Sequence, residues 1–171
     1  MRRLRAFSEE LRAEGRGEVP EFDPLDGGEV ARLLFLLEKP GPGVFRHGAG
    51  FVSRDNPDLT AAAIFRFAEE AGIDRGEAVL WNAMPWWNGT IRYTAAEWRA
   101  GVGWIEALLD LLPRLAGVAL VGRPAQRARP VLEGRGLRIV ESAHPSPNVR
   151  AAFPERWRDI PRRWAELKEG G

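Results

Sequence analysis

An α/β fold is predicted, with three layers, α/β/α, around a central, mostly parallel four-stranded sheet. Three observations predict it. Short apolar runs bounded by turn residues alternate with longer amphipathic segments, the order of βαβ units. One run, Arg32–Leu37, is apolar after its first residue, as a strand covered on both faces is. Hydrophobic residues make up 44% and charged residues 29% of 171 residues, enough for one domain, 1–171, with its own core.

The elements follow in order. Leu4, Phe7 and Leu11 share one face of a first helix over 4–14, and residues 15–28, rich in Gly, Pro and Asp, complete an N-terminal arm without regular structure. Arg32–Leu37 is the first strand. Pro57–Gly72 is a helix, with Asn56 or Pro57 near its start, Ile64, Phe65, Phe67, Ala68 and Ala71 as core positions, and Gly72 as its stop. Ala78–Asn82 is the second strand. Thr94–Leu112 is a long helix that opens with a capping box, Thr94 and Glu97. Its stripe is Trp98, Val102, Ile105, Leu108, Leu109 and Leu112. Gly117–Gly122 is the third strand, Pro124 begins a helix to about Glu133, and Leu137–Glu141 is the fourth strand. Pro154–Lys168 is a helical tail with Trp157, Ile160, Trp164 and Leu167 inward and a break at Pro161. Trp86 and Trp87, being adjacent, face different ways, with core packing expected; His47 is expected at the surface.

Composition excludes several chemistries. The chain has no cysteine, so it holds no disulfide, thiolate zinc site or cysteine-ligated iron–sulfur cluster of its own. Two histidines without cysteine make a poor metal site, and no metal or cofactor is expected. P-loop, HExxH, nucleophile-elbow and GxGxxG patterns are absent. The basic start has no apolar run behind it and no stretch suits a membrane span, so a cytoplasmic protein is expected. Net charge is +1, but all except two of the 25 Lys and Arg residues are Arg, the better phosphate clamp. A genome-wide Arg bias explains that equally well. A local basic rim is all that a small DNA footprint needs.

Ligands of open α/β sheets bind at the carboxyl ends of the strands. The four junctions there read Glu38-Lys39-Pro40-Gly41-Pro42, Asn82-Ala83-Met84-Pro85-Trp86-Trp87, Gly122-Arg123-Pro124 and Ser142-Ala143-His144-Pro145-Ser146-Pro147. Polar side chains beside rigid Pro-containing turns converge there, which points to a cleft. His144 is either structural or a donor facing that cleft. Glu38 is either a base or water-orienting group, or half of a salt bridge to Lys39 or an Arg. Asn82 ends an apolar strand, where its amide either reads a ring edge by donating and accepting or holds a turn. Phe45 and Phe51 flank a Gly-rich segment, as core residues or as stacking surfaces.

Together these residues resemble the uracil-DNA glycosylase superfamily, over Leu34 to Phe153. Glu38-Lys39-Pro40-Gly41 is similar to the first family motif in its Glu-Ala-Pro-Gly form. His144–Pro147 matches the second, His-Pro-Ser-Pro, in full. Asn82 stands where the family reads uracil, and Phe51 best matches its stacking Phe. The resemblance implies an enzyme that flips a base out of DNA and hydrolyses its bond to the sugar. Phe51 would stack on the ring, in a pocket whose rim is Lys39, Pro40 and Gly41. Asn82 would accept from N3–H and donate to O4. Neutral His144 would donate to O2 as the base leaves as an anion. Glu38 would position water or stabilise the cationic sugar. Pro145, Ser146, Pro147, Asn148, Val149 and Arg150 would press on the DNA, with Ser53 and Ser146 on phosphates and Arg150 or Val149 filling the gap.

The sequence departs from the family in three places. Lys39 replaces a water-activating Asp, which moves that role to Glu38. Gly41 replaces a Tyr that excludes thymine. The branch with the Glu-x-Pro-Gly form usually carries a cluster on four cysteines, which this chain lacks. The reading is a monomeric, monofunctional uracil excision enzyme of base-excision repair, acting on single- or double-stranded DNA at the nucleoid. The alternatives are a glycosylase for hypoxanthine or mismatched thymine, a non-catalytic DNA-binding member of the fold, and an unrelated α/β small-molecule hydrolase.

Overall fold

Leu4, Phe7 and Leu11 are buried along one side of helix α1 (Arg2–Ala13), the first element of a computed structural model that describes residues 1–169. The arm after it is more ordered than its composition predicts. Strand β1 (Glu21–Phe22) lies within it, followed by a 3₁₀ turn at Gly28–Val30 and the first central strand, β2 (Leu33–Leu37). A short helix α2 (Gly43–Arg46) leads to β3 (Phe51–Val52), which pairs in parallel with β1 as a second, two-stranded sheet. That pairing is non-local, so a two-residue strand left no periodic trace in the sequence.

Helix α3 (Leu59–Glu70) starts two residues later than predicted, because the Asp58 carboxylate caps it by accepting from the Ala61 N–H at 2.8 Å. Ile64, Phe67 and Ala68 are buried, whereas Phe65, expected in the core, is exposed. Next come β4 (Ala78–Asn82), α4 (Ala95–Asp110) and β5 (Gly117–Val121). Thr94 and Glu97 form the expected capping box on α4. The helix predicted over 124–133 is two pieces, α5 (Arg123–Gln126) and α6 (Arg129–Leu132), since Pro130 supplies no N–H to continue the first. Strand β6 (Arg138–Ser142) is displaced by one residue from its predicted bounds. The loop after His144 forms a short helix that was not predicted, α7 (Pro147–Ala152), and the tail is α8 (Pro154–Arg158), α9 (Ile160–Ala165) and a 3₁₀ turn at Glu166–Lys168, with Pro in the first turn of each α-helix.

The central sheet has the order β4-β2-β5-β6, and every pairing is parallel. Its register sorts the side chains. Phe35 pairs with Leu80, and Leu36 with Trp81. On the Trp81 face, Phe22 stacks on Trp81 at a centroid distance of 3.7 Å, and Phe7 of α1 meets both Trp81 and Trp104 of α4 edge-on. On the Phe35 face, Trp164 of α9 meets Phe35 at 4.7 Å and Phe67 of α3 at 6.2 Å. Helices therefore cover both faces, giving the three predicted layers. Each aromatic pair adds roughly 0.5–1.5 kcal/mol beyond the area it buries.

The free edge of β4 is closed by the arm. Gly27 N–H donates to the Ala78 carbonyl at 2.8 Å, and Leu80 N–H donates to Asp26 Oδ2 at 3.3 Å. Arg75 gathers the acids there, reaching Asp23 at 2.6 Å, Asp26 at 3.2 Å and Asp55 at 2.6 Å. Burial pushes the Asp26 carboxyl up to about 6, against the pull of Arg54 and Arg75. The cluster locks the arm and β3 beside β4, and so fixes the wall from which Val52 and Ser53 face the site.

Candidate active site

Leu37 pairs with Asn82, so Phe35, Leu37, Leu80 and Asn82 share the face covered by α3. Leu37, Leu80 and Asn82 line a cavity of about 380 Å³ with Ala61 and Ile64 of α3. That volume lies within the usual range of small-ligand sites, roughly 300–1,000 Å³. The loop after β2 supplies Lys39, Pro40 and Gly41, and the exit of β3 supplies Ser53. His144, two residues beyond β6, closes the far side. Asn82 and His144 thus come from opposite edges of the sheet, three strand spacings or roughly 14 Å apart, and reach one cavity.

Their environments differ. Asn82 is 4% exposed, and its Nδ2 is buried with no hydrogen-bond partner among the described residues. An unpaired buried donor costs about 1–3 kcal/mol. His144 is half-buried, and that burial lowers its pKa, opposed by the nearby Glu38 and Asp58 carboxylates. The imidazole is therefore neutral at neutral pH and keeps a ring N–H to donate.

The other sequence-derived candidates lie around this cavity without lining it. Glu38 stands at the tip of β2, where the loop is fastened by Met84 N–H donating to the Glu38 carbonyl at 2.8 Å. Its carboxylate faces Tyr93, whose hydroxyl is pushed up to about 12 by burial and by that charge. Phe51 is half-buried at the start of β3, one residue before the lining Val52. Ser146 caps α7, its hydroxyl accepting from Val149 N–H at 3.3 Å. Pro145, Pro147 and Arg150 line a smaller groove with Leu59 and Trp157, and Asn148 is exposed on α7. Val149 lines a third depression beside β6.

Lys39 has a structural environment that its position in the motif did not reveal. Its ammonium donates to Asn88 Oδ1 at 2.6 Å and to the Thr90 carbonyl at 2.7 Å, 4.9 Å above the Trp87 ring. Asn88 in turn donates to Glu97 Oε1 at 2.8 Å, which joins the loop after β2 to the cap of α4. The salt bridge between Glu38 and Lys39 considered from sequence does not form. Trp86 is fully buried and Trp87 half-buried, while His47 is exposed.

Asn56, expected only at a helix start, lines the cavity with Asp58 and Thr60, and Gly122, expected only in a strand-end turn, lies beside His144. Gly122 has φ +88°, and a methyl group there would lie 3.1 Å from the His144 Cβ. A Gly-Arg-Pro turn at a strand end was the available signal. Tyr93, the only tyrosine, left none, because a loop distant in sequence carries it to Glu38.

A parallel α/β sheet with a cavity at the carboxyl ends of its strands, lined by a buried amide and an imidazole, is the arrangement of an α/β protein that binds a small ligand at its sheet edge. The family model described as the uracil DNA glycosylase superfamily matches residues 25–168. The chain belongs to that superfamily, and with it to the DNA glycosylases of base-excision repair, which act on DNA. No curated protein matches the chain significantly. No described helix is long and apolar enough to cross a membrane.

Proposed function

We propose that the protein excises uracil from DNA by hydrolysing the N-glycosidic bond, as a monofunctional glycosylase. The observation that carries the reading is the unpartnered Nδ2 of Asn82, buried at the wall of a cavity that also holds His144. A uracil in the cavity meets both needs. Its O4 accepts from Nδ2, and its N3–H donates to the amide oxygen. Cytosine presents the opposite pattern and leaves two buried groups unpaired, a penalty of about 1–3 kcal/mol each.

As the bond to the sugar breaks, the electron pair moves onto the ring. The ring N–H of His144 stabilises that charge at O2, most strongly in the transition state, which raises rate rather than affinity alone. Glu38, beside Tyr93, orients the attacking water or stabilises the sugar cation. Phe51 turns onto the ring from the β3 wall. Pro145, Pro147 and Arg150 press on the DNA, and Ser53 and Ser146 contact phosphates. Lys39 serves as a tether, because both of its acceptors hold its ammonium.

A second reading has its own observation. Gly41 and Gly43 line the cavity, and a methyl group at either would meet nothing within 4 Å, so no side chain closes that side of it. That room favours thymine from a mismatch, or hypoxanthine, as additional substrates. The test is release of free base from single-stranded and duplex oligonucleotides that carry uracil, thymine mismatched with guanine, or hypoxanthine. Uracil release is expected first. A folded protein that frees no uracil overturns the main reading, and release of another base alone establishes the second.

A further inference from the structure

His144 borders two depressions. One is the cavity already described. The other is a groove of about 730 Å³ along β6, which runs past Gly122, Val149 and Phe153. Apart from His144 itself, the proposed chemistry uses none of the residues of this groove. Its polar wall contains four arginines, of which Arg129 is paired with Glu141 and Arg163 with Asp159 and Glu166. Arg123 and Arg156 are exposed and form no ion pair among the described residues.

Phe153 is 53% exposed in this groove, at the junction of α7 and α8. A single exposed Phe is ordinary. This one carries the Arg156 guanidinium against its ring, 5.2 Å from the centroid. A flat apolar ring with an unpaired cation beside it, opening into the same groove as an imidazole at the base cavity, matches what a nucleic-acid strand requires. Bases stack on aromatic faces, and cations follow the backbone.

We propose that this groove takes single-stranded DNA flanking the extruded nucleotide, with a neighbouring base stacked on Phe153 and phosphates held by Arg123 and Arg156. The inference rests on the reading that the cavity beside His144 holds the extruded base. It assigns Phe153, Arg123 and Arg156 to strand binding, and it makes single strands preferred partners, since a base in a duplex must first be unstacked from its neighbours before it can lie on Phe153.

The experiment reads binding alone, by fluorescence anisotropy of a labelled, uracil-free thymine oligonucleotide, against the same sequence as duplex. Phe153→Ala should weaken single-strand affinity by on the order of 5- to 100-fold, the range for one stacked base. Phe153→Trp should restore it, and duplex affinity should change far less. Arg123→Gln and Arg156→Gln should each make the logarithmic salt dependence shallower by about 0.7, one phosphate contact on a single strand. Because all three side chains are exposed, melting temperature serves as the folding control. Equal single-strand affinity of folded Phe153→Ala and the parent protein overturns the proposal, as does an equal loss on duplex. Excision is measured separately. Uracil release with no effect of Phe153→Ala sinks this inference alone, and Phe153-dependent binding without release sinks only the catalytic reading.

Discussion

Gly122 leaves free the space that His144 needs: a methyl group on Gly122 would come within 3.1 Å of the His144 Cβ and 3.4 Å of Cδ2. The backbone at Gly122, with φ +88° and ψ 155°, lies in a region that only glycine adopts readily. The end of β5 thereby sets the position of the imidazole that follows β6.

Gly122→Ala separates these two effects. Strain should reduce stability by about 1–3 kcal/mol. Displacement of His144 should slow excision at least tenfold under single-turnover conditions, at a temperature where the variant remains folded. Wild-type turnover in the variant would show that the imidazole's position is not held from β5.

Asn82→Ala should trade function against stability. Removing a buried, unpaired donor relieves a penalty of about 1–3 kcal/mol, which offsets much of the loss of packing. The variant should unfold within about 1 kcal/mol of the parent in denaturant while excision falls by on the order of a hundredfold and discrimination against cytosine weakens. A strongly destabilised Asn82→Ala would mean that the amide supports the fold instead.

The pH dependence follows from His144. Its burial makes the folded protein bind fewer protons than the unfolded chain near the ordinary pKa of 6.5. The stability associated with the neutral ring is therefore complete above about pH 6.5 and declines as pH falls below it. Excision should be flat from neutral to mildly alkaline pH and drop only in acid, moderated by the facing Glu38 and Asp58 carboxylates. His144→Gln should flatten the acid decline of stability. An unchanged decline between pH 6.5 and 5 would remove His144 as its source.

Lys39 should form no adduct. Its ammonium is held by Asn88 and Thr90, so borohydride treatment with abasic DNA should trap no covalent complex. A trapped species lost in Lys39→Arg would overturn the monofunctional assignment.

The stack of Phe22 on Trp81 lies on the sheet face opposite the cavity. Trp81→Ala should cost about 3–5 kcal/mol in denaturant titration. Trp81→Phe should cost less and leave the excision rate within a factor of about two. A large rate loss in that conservative variant would show coupling across the sheet.

Much of the site was legible because strand ends in an open parallel sheet converge. The runs predicted to end at Leu37, Asn82 and Glu141 marked three of the four junctions, and residues from each of the three line or border one cavity. What stayed hidden was the second coordinate of each side chain. Glu38 and Lys39 are neighbours in one motif, yet Glu38 faces Tyr93 and Lys39 is bound by Asn88, since both partners arrive on a loop some fifty residues away.

The sequence by itself determined the elements that local physics governs: apolar runs became strands buried on both faces, and Thr94 with Glu97 closed a capping box. Only the tertiary structure decided which edges those strands occupy, that β1 and β3 pair beside β4, and that Asn82 and His144, from opposite edges, line one cavity. The reason is range. Hydrogen bonds within a helix or cap join residues three or four apart, whereas strand order and cavity walls are set by burial among segments with no contact along the chain.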